Sequence, residues 1–279
     1  MDRIYSPKIA KKISELYDIT MKKSLGQNFL VDGNVVRHIV DSAKIDENSN
    51  VLEVGPGIGA LTEEVLIRGA KLSSIEIDQR FVEILQDRLD EFHNFQLIHG
   101  DAVDEEVFES AAQGKDVFIS NMPYVVTTPL LERIFLSKAN FKRAVIMVQK
   151  EVAIRMVASP NSKDYGSLSV FVKAFADAKR LFTVKPMSFM PKPKVDSEVL
   201  LLEIKKFDGD IKEFMKIVHA SFSARRKTLL NSLSIGLKME KSSVEKFLLE
   251  SGIDPAKRAE NLNIDDFYQM YKIFNNKGV

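Results

Sequence analysis

Between about residues 35 and 158, short apolar runs alternate with amphipathic stretches. Val51-Leu52-Glu53-Val54 reads as a strand halted by Gly55-Pro56-Gly57, and the apolar runs at 72–77, 95–98, 117–119 and 144–148 predict further strands. Residues 60–68, 81–89 and 130–136 carry apolar side chains at helical spacing, as with Phe81, Val82, Leu85 and Leu89. Strands separated by helices imply βαβ units and a mostly parallel sheet. The pattern changes near residue 207. Phe207-Asp208-Gly209-Asp210 reads as a linker, and 211–222, 227–237, 243–249 and 265–274 all show helical spacing, with Asp254-Pro255 and Asp265-Asp266 as helix starts. The expected organisation is an α/β domain over residues 1–206 followed by a small all-helical domain over 207–279.

Composition narrows the chemistry. With 45% hydrophobic and 28% charged residues, the chain of 279 can build a core, which excludes global disorder. It has no cysteine, so disulfides, thiolate metal sites and a cysteine nucleophile are excluded. His38, His93, His99 and His219 show no ligand spacing, and no metal is expected. A net charge of +1 means that a nucleic-acid partner would be held by local basic clusters. No apolar run approaches the roughly 20 residues of a membrane span, and residues 1–20 lack the layout of a signal peptide. No membrane partner is expected, and the cytoplasm is the expected location.

Glu53-Val54-Gly55-Pro56-Gly57-Ile58-Gly59 stands between a strand and a helix. Glycines at alternate positions let the backbone turn and approach a ligand closely. The spacing is Gly-x-Gly-x-Gly, unlike the Gly-x-Gly-x-x-Gly of dinucleotide binders, and Glu53 would oppose a pyrophosphate but suit a cation. About 20 residues on, Glu76 ends the next strand, where a carboxylate can bond ribose hydroxyls. Asp101 ends the third strand and could accept from an adenine amine. A ligand with adenosine, positive charge and no need for phosphate contacts is S-adenosylmethionine. Taken singly, each feature has a plain alternative: the glycines as a strand–helix turn, Asp78 and Asp101 as helix caps. In register on successive strands, they point to a cofactor site.

Ser120-Asn121-Met122-Pro123-Tyr124 follows the fourth strand. An exocyclic adenine nitrogen is a poor nucleophile because its lone pair is delocalised into the ring. A side-chain amide oxygen and a backbone carbonyl that accept its N–H groups favour a pyramidal nitrogen and stabilise the positive charge developing on attack. Asn121 supplies the amide, Pro123 stiffens the loop, and Tyr124 offers a ring face for an extruded base. The alternative is an ordinary Asn/Pro turn.

Further motifs extend along nearly the whole chain: Lys23-Ser24-Leu25-Gly26-Gln27-Asn28-Phe29-Leu30, Val148-Gln149-Lys150-Glu151-Val152-Ala153, Tyr165-Gly166-Ser167-Leu168-Ser169-Val170, Phe189-Met190-Pro191-Lys192-Pro193-Lys194-Val195-Asp196-Ser197, Arg225-Arg226-Lys227-Thr228-Leu229 and Arg258-Ala259-Glu260-Asn261-Leu262. With them the chain resembles the bacterial small-subunit (16S) ribosomal RNA adenine-N6,N6 dimethyltransferase family. That resemblance implies a Rossmann-like methyltransferase sheet and transfer of four methyl groups to two adjacent adenosines near the 3′ end of small-subunit rRNA. It also implies action late in small-subunit assembly. By motif match, Asn28, Leu30, Gly55, Gly57, Glu76, Asp101 and Asn121 would contact the cofactor, and Tyr124 and Phe189 would flank the base. One departure is Met122, where the family usually has Leu; the swap conserves volume.

Basic residues cluster in three places: Lys8, Lys11, Lys12, Lys22 and Lys23; then Lys185, Lys192 and Lys194 around Phe189; then Arg225, Arg226 and Lys227, read as opening a helix. Single lysines are commonly solvated surface. Three adjacent cations repel one another unless something anionic balances them, which makes 225–227 the best candidate for rRNA contact. Nothing in the sequence suggests an obligate dimer, and a monomer is expected.

Overall fold

The computed structural model describes residues 3–17, 28–123, 126–224 and 226–276. In chain order the elements are α1 (Pro7–Leu16), β1 (Phe29–Leu30), α2 (Gly33–Ser42), β2 (Asn50–Val54), α3 (Ala60–Ile67), β3 (Lys71–Glu76), α4 (Gln79–Arg88), β4 (Phe95–His99), α5 (Glu105–Ala112), β5 (Val117–Asn121), α6 (Thr127–Leu136), β6 (Arg143–Gln149), α7 (Lys150–Met156), α8 (Ser167–Phe175), β7 (Ala176–Val184), β8 (Phe189–Met190), β9 (Ser197–Ile204), α9 (Ile211–Ser221), α10 (Leu229–Leu237), α11 (Lys241–Glu250) and α12 (Ile264–Asn276).

Seven strands form one sheet in the order β4-β3-β2-β5-β6-β9-β7. The pairs β2–β3, β3–β4, β2–β5 and β5–β6 are parallel, and β9 enters antiparallel to β6. β2, β5 and β6 are buried along nearly their whole length, as befits the central strands of a parallel sheet, which is covered on both faces. The strand order reverses between β2 and β5. At such a switch point the loops leaving the two strands diverge and open a crevice at the carboxyl ends. β1 and β8 form a separate two-stranded ladder, with Phe29 opposite Met190 and Leu30 opposite Phe189.

The expected strands and helices are present with ends shifted by a few residues, except that Asp254-Pro255 opens a turn rather than a helix, with Asp254 accepting from the Ala256 and Lys257 N–H groups. One shift bears on chemistry. The helix expected from residue 227 starts at Leu229 after the N-cap Thr228, so Arg226 and Lys227 lie in the preceding turn.

The chain packs into two compact units: residues 1–153 with 179–204, and residues 154–178 with 205–279. The second unit thus takes in a segment that the sequence reading assigned to residues 1–206. Within it, Tyr165 Oη donates to the Leu262 carbonyl (2.8 Å) and the Asn161 N–H to the Glu260 carbonyl (2.8 Å). Phe175, Phe207, Phe214 and Tyr268 form an aromatic cluster with centroids 5.1–5.6 Å apart. The two hydrogen bonds join stretches about a hundred positions apart, and Phe207 of the expected linker belongs to the cluster, so no linker marks the division. Among the described residues, no helix is long and apolar enough to cross a membrane.

Candidate active site

At the carboxyl ends of β2, β3, β4 and β5, in the first unit, lies a cavity of about 350 Å³, within the range of small-molecule sites. Its floor is the glycine turn. Gly55, Gly57 and Gly59 have φ of +70°, +56° and +96°, the left-handed region that side chains disfavour. A Cβ on Gly57 would also come within 3.3 Å of the Phe29 ring. The turn is fixed by the Gly55 N–H donating to Ile75 (3.0 Å) and the Gly59 N–H to Pro56 (2.9 Å). Phe29 and Phe81, edge to face with centroids 5.3 Å apart, wall one side.

Three carboxylates face this space. Glu76, the last residue of β3 and 5% exposed, accepts from the Gly57 N–H (3.1 Å) through Oε2 and from the Asp78 N–H (2.9 Å) through Oε1. Burial raises its pKa, and these N–H groups pull the other way. Glu53, 1% exposed, accepts from the Thr62 and Ser74 hydroxyls, both at 2.8 Å. Burial pushes it up to about 7 against those two hydrogen bonds, and the neighbouring Glu76 charge adds to the rise. Asp101 is exposed, and its Oδ1 accepts from the Val103 N–H (2.9 Å) in a local turn. Asp78, by contrast, caps α4 and pairs with Arg80 (2.6 Å), so the cap alternative holds for it.

Asn121 closes the other side. Its Nδ2 donates to the Asn28 backbone carbonyl (3.1 Å), and its Oδ1 accepts no hydrogen bond among the described residues. The Ser120 hydroxyl ties β5 to β2 by donating to the Val54 carbonyl (2.7 Å). Met122 is buried, and its N–H donates to the Met147 carbonyl (3.0 Å). The Pro123 carbonyl accepts from the Val126 N–H (3.2 Å), while the Met122 carbonyl accepts no hydrogen bond among the described residues.

The structure therefore brings Asn28, Leu30, Gly55, Gly57, Glu76, Asp101, Asn121 and Pro123 to one cavity. Tyr124 and Arg225 lie outside the described residues, as do Lys22 and Lys23. Phe189 does not line the cavity. It is 2% exposed in the core, because its pairing with Leu30 turns it inward. Lys192 and Lys194 are exposed and unpaired among the described residues, whereas Lys185 and Lys150 both engage Asp196, at 2.8 and 3.6 Å. Sequence reasoning missed the apolar walls Phe81, Ile77, Val126 and Leu130, whose helical or terminal positions carry no local sign of a ligand.

The chemistry of the lining tests the ligand. No Lys, Arg or His is among the cavity's described residues; its ionisable groups are Glu53, Glu76 and Asp101. A lining whose ionisable groups are all carboxyls favours a cation with ribose hydroxyls and repels a pyrophosphate. A sulfonium nucleoside such as S-adenosylmethionine fits it.

In the second unit the turn carrying Arg226 and Lys227 is bound to the loop carrying Lys257 and Arg258. The Leu229 N–H donates to the Lys257 carbonyl (2.6 Å) and the Leu230 N–H to the Pro255 carbonyl (3.2 Å). All four cationic side chains are exposed. Arg258 approaches Glu260 at 3.8 Å, and Arg226 and Lys227 have no acidic partner among the described residues. Lys257 was missed because it and Arg258 form only a short basic pair, far along the chain from the 225–227 cluster.

Residues 19–276 match the ribosomal RNA adenine dimethylase family. A ribosomal RNA small subunit methyltransferase A of Clostridium botulinum (strain ATCC 19397 / Type A) is 43% identical over 263 residues, covering 92% of this chain and 95% of the relative. The protein of that name from Bacillus licheniformis is 42% identical over 278 residues, 95% of this chain and 94% of its own. A dimethyladenosine transferase from Plasmodium falciparum superposes with a TM-score of 0.77 at 30% identity, covering 89% of this chain and 98% of that one. A 23S rRNA methyltransferase superposes with a TM-score of 0.63 at 22% identity, a likeness of fold, over 88% of this chain and 99% of that one.

Proposed function

The chain belongs to the ribosomal RNA adenine dimethylase family, and from that premise we propose how its residues divide the work. The protein is an S-adenosylmethionine-dependent methyltransferase that dimethylates adenine in small-subunit rRNA. In our reading the targets are the N6 amines of two adjacent adenosines near the 3′ end. The enzyme acts as a monomer on an assembling small subunit in the cytoplasm.

The observation that carries the assignment of roles is the Asn121–Asn28 hydrogen bond beside a cavity whose ionisable groups are all carboxyls. Glu76 takes the ribose hydroxyls, Asp101 the adenine amine, and Gly55, Gly57, Asn28 and Leu30 shape the rest of the cofactor site. When bound there, S-adenosylmethionine supplies an electrophilic methyl group on a positively charged sulfur. Asn121 Oδ1 accepts one N–H of the target amine. The Met122 carbonyl is the second acceptor, because the Pro123 carbonyl is already engaged. In the first transfer to each adenine, two accepted N–H groups draw the nitrogen toward a pyramidal geometry and stabilise its growing positive charge; in the second, the one remaining N–H is accepted by one of the two. Holding the amine in line with the methyl supplies much of the remaining rate. Pro123 stiffens the turn, and Tyr124 stacks on the extruded base. Phe189 supports this wall from behind, through Leu30. Arg225, Arg226 and Lys227, with Lys257 and Arg258, hold rRNA phosphates, and Lys192 and Lys194 add contacts from the first unit.

The test is methyl transfer from labelled S-adenosylmethionine to undermethylated small subunits, read by nucleoside mass spectrometry, with large subunits and naked DNA as controls. Dimethyladenosine confined to small-subunit RNA is the expected result. Transfer to large subunits would move the enzyme to another rRNA substrate. Cofactor binding without transfer to any acceptor would make it a non-catalytic assembly factor.

A further inference from the structure

The segment from Ile4 to Tyr17 precedes the family match, which begins at residue 19, yet it touches three helices around the glycine turn. The Ile4 N–H donates to Glu63 Oε2 on α3 (3.0 Å). The Tyr5 ring lies against Gly33, and its hydroxyl accepts from Arg37 on α2 (2.9 Å). The Tyr17 hydroxyl donates to Asp87 on α4 (3.0 Å). Ile4, Ala10 and Ile13 are buried in the core that also holds Phe29 and Phe81 of the cavity wall.

Ile4 stands at a critical place. Gly59 ends the glycine turn with φ +96° and serves as the N-cap of α3 without a side chain to cap it. A Cβ there would meet Leu85 Cδ2 at 2.8 Å and Ile4 Cδ1 at 3.5 Å, so these two side chains cover the bare face of the turn. The same residue's main chain holds Glu63, whose own N–H donates to the Gly59 carbonyl (2.9 Å). Ile4 thus braces the turn from behind by packing and braces the first turn of α3 by a hydrogen bond. The opposite face of that turn, Gly55 to Ile58, is the cavity floor.

We propose that Ile4 is a positioning residue for the cofactor site and that the N-terminal helix holds it against the glycine turn. The inference rests on the reading of the cavity as the S-adenosylmethionine site. It assigns the N-terminal segment a part in methyl transfer although none of its residues lines the cavity.

The experiment uses the full chain and measures the Kd of S-adenosylhomocysteine by calorimetry beside the Tm of the ligand-free protein. Ile4→Ala should weaken binding by about three- to thirtyfold, the range of indirect coupling between sites. Ile4→Val should restore it to within about twofold, and KM for S-adenosylmethionine should move more than kcat. Leu202→Ala, a core truncation on β9 remote from the turn, should lower Tm without moving Kd. Should Ile4→Ala fail to fold, Ile4→Leu, which keeps the volume but moves the methyl group that covers Gly59, takes its place, with Kd expected to rise about threefold and Ile4→Val still the control. Equal Kd for wild type and the Ile4 variants, with Tm lowered, would overturn the inference and leave the cofactor reading standing. Failure of the wild-type chain to bind S-adenosylhomocysteine would overturn both.

Discussion

The Asn121 amide gives its N–H to the Asn28 carbonyl, 3.1 Å away, and that single bond sets which end of the amide can meet a substrate. A carbonyl can only accept, so Nδ2 is the atom facing it and Oδ1 is left to accept from an amine. Asn121→Ala should lower kcat by roughly 10²–10³, the usual cost of one preorganised polar group at a charge-developing atom. Binding to small subunits should stay largely intact in a filter or sedimentation assay. Asn121→Asp should not rescue transfer, because a carboxylate cannot donate to Asn28.

Glu76 is a brace as well as a ligand. It holds the Gly57 and Asp78 N–H groups with its two oxygens. Glu76→Gln replaces one acceptor with a donor facing an N–H. Hydrogen bonds to charged groups contribute about 1.5–3 kcal/mol each, so calorimetry should find S-adenosylhomocysteine weakened by tenfold or more.

Glu53 makes cofactor binding a proton-linked event. Burial raises its pKa from 4.5 to about 7 in the ligand-free fold. The stability that this group contributes is therefore full below its ordinary pKa of 4.5 and is lost as pH rises through about 7. A bound cation favours the carboxylate, so binding near neutral pH should release a proton. The calorimetric enthalpy should then depend on the buffer's ionisation enthalpy, and Glu53→Gln should abolish that dependence. The same variant should gain Tm relative to wild type as pH rises from about 5 to about 8.

Gly59→Ala combines a φ of +96° with a Cβ placed 2.8 Å from Leu85. Left-handed strain costs of order 1–3 kcal/mol, and crowding adds to it. Thermal unfolding should show a clear drop in Tm, and the cofactor Kd should rise with it, since the strained turn is the cavity floor.

The basic patch predicts salt behaviour rather than sequence choice. Arg226→Ala and Lys257→Ala should each weaken small-subunit binding and reduce the slope of log K against log salt by about 1. Methyl transfer at saturating subunits should change little. A slope unmoved by both would remove this surface from the rRNA interface.

What could be read before folding was local. Val51–Val54 followed by alternate glycines, Glu76 at a strand end and Asn121 before a proline each carry their meaning within a few residues, and the cavity gathers Gly55, Gly57, Glu76 and Asn121. What could not be read depends on distant pairing. Phe189 is a stacking candidate by motif, but its register with Leu30, 159 positions away, buries it. The 154–178 segment has no linker at either end, and only bonds such as Tyr165 to Leu262 assign it to the second unit. The basic patch gains Lys257 only because two loops share backbone hydrogen bonds.

The two-residue ladder of β1 with β8 also imposes an order in time. Leu30 and Asn28 wall the cavity, but the partner that holds β1 in place is Phe189–Met190. Val31 and Asp32 are bonded to Ser188 at 2.8 and 2.9 Å in the same way. During synthesis the glycine turn, Glu76 and Asn121 emerge long before residue 188, so the nascent chain carries most of its ligand groups while one wall is still open. Contacts of such sequence separation form late and slowly. The site becomes complete only once nearly all of the first unit has left the ribosome that made it.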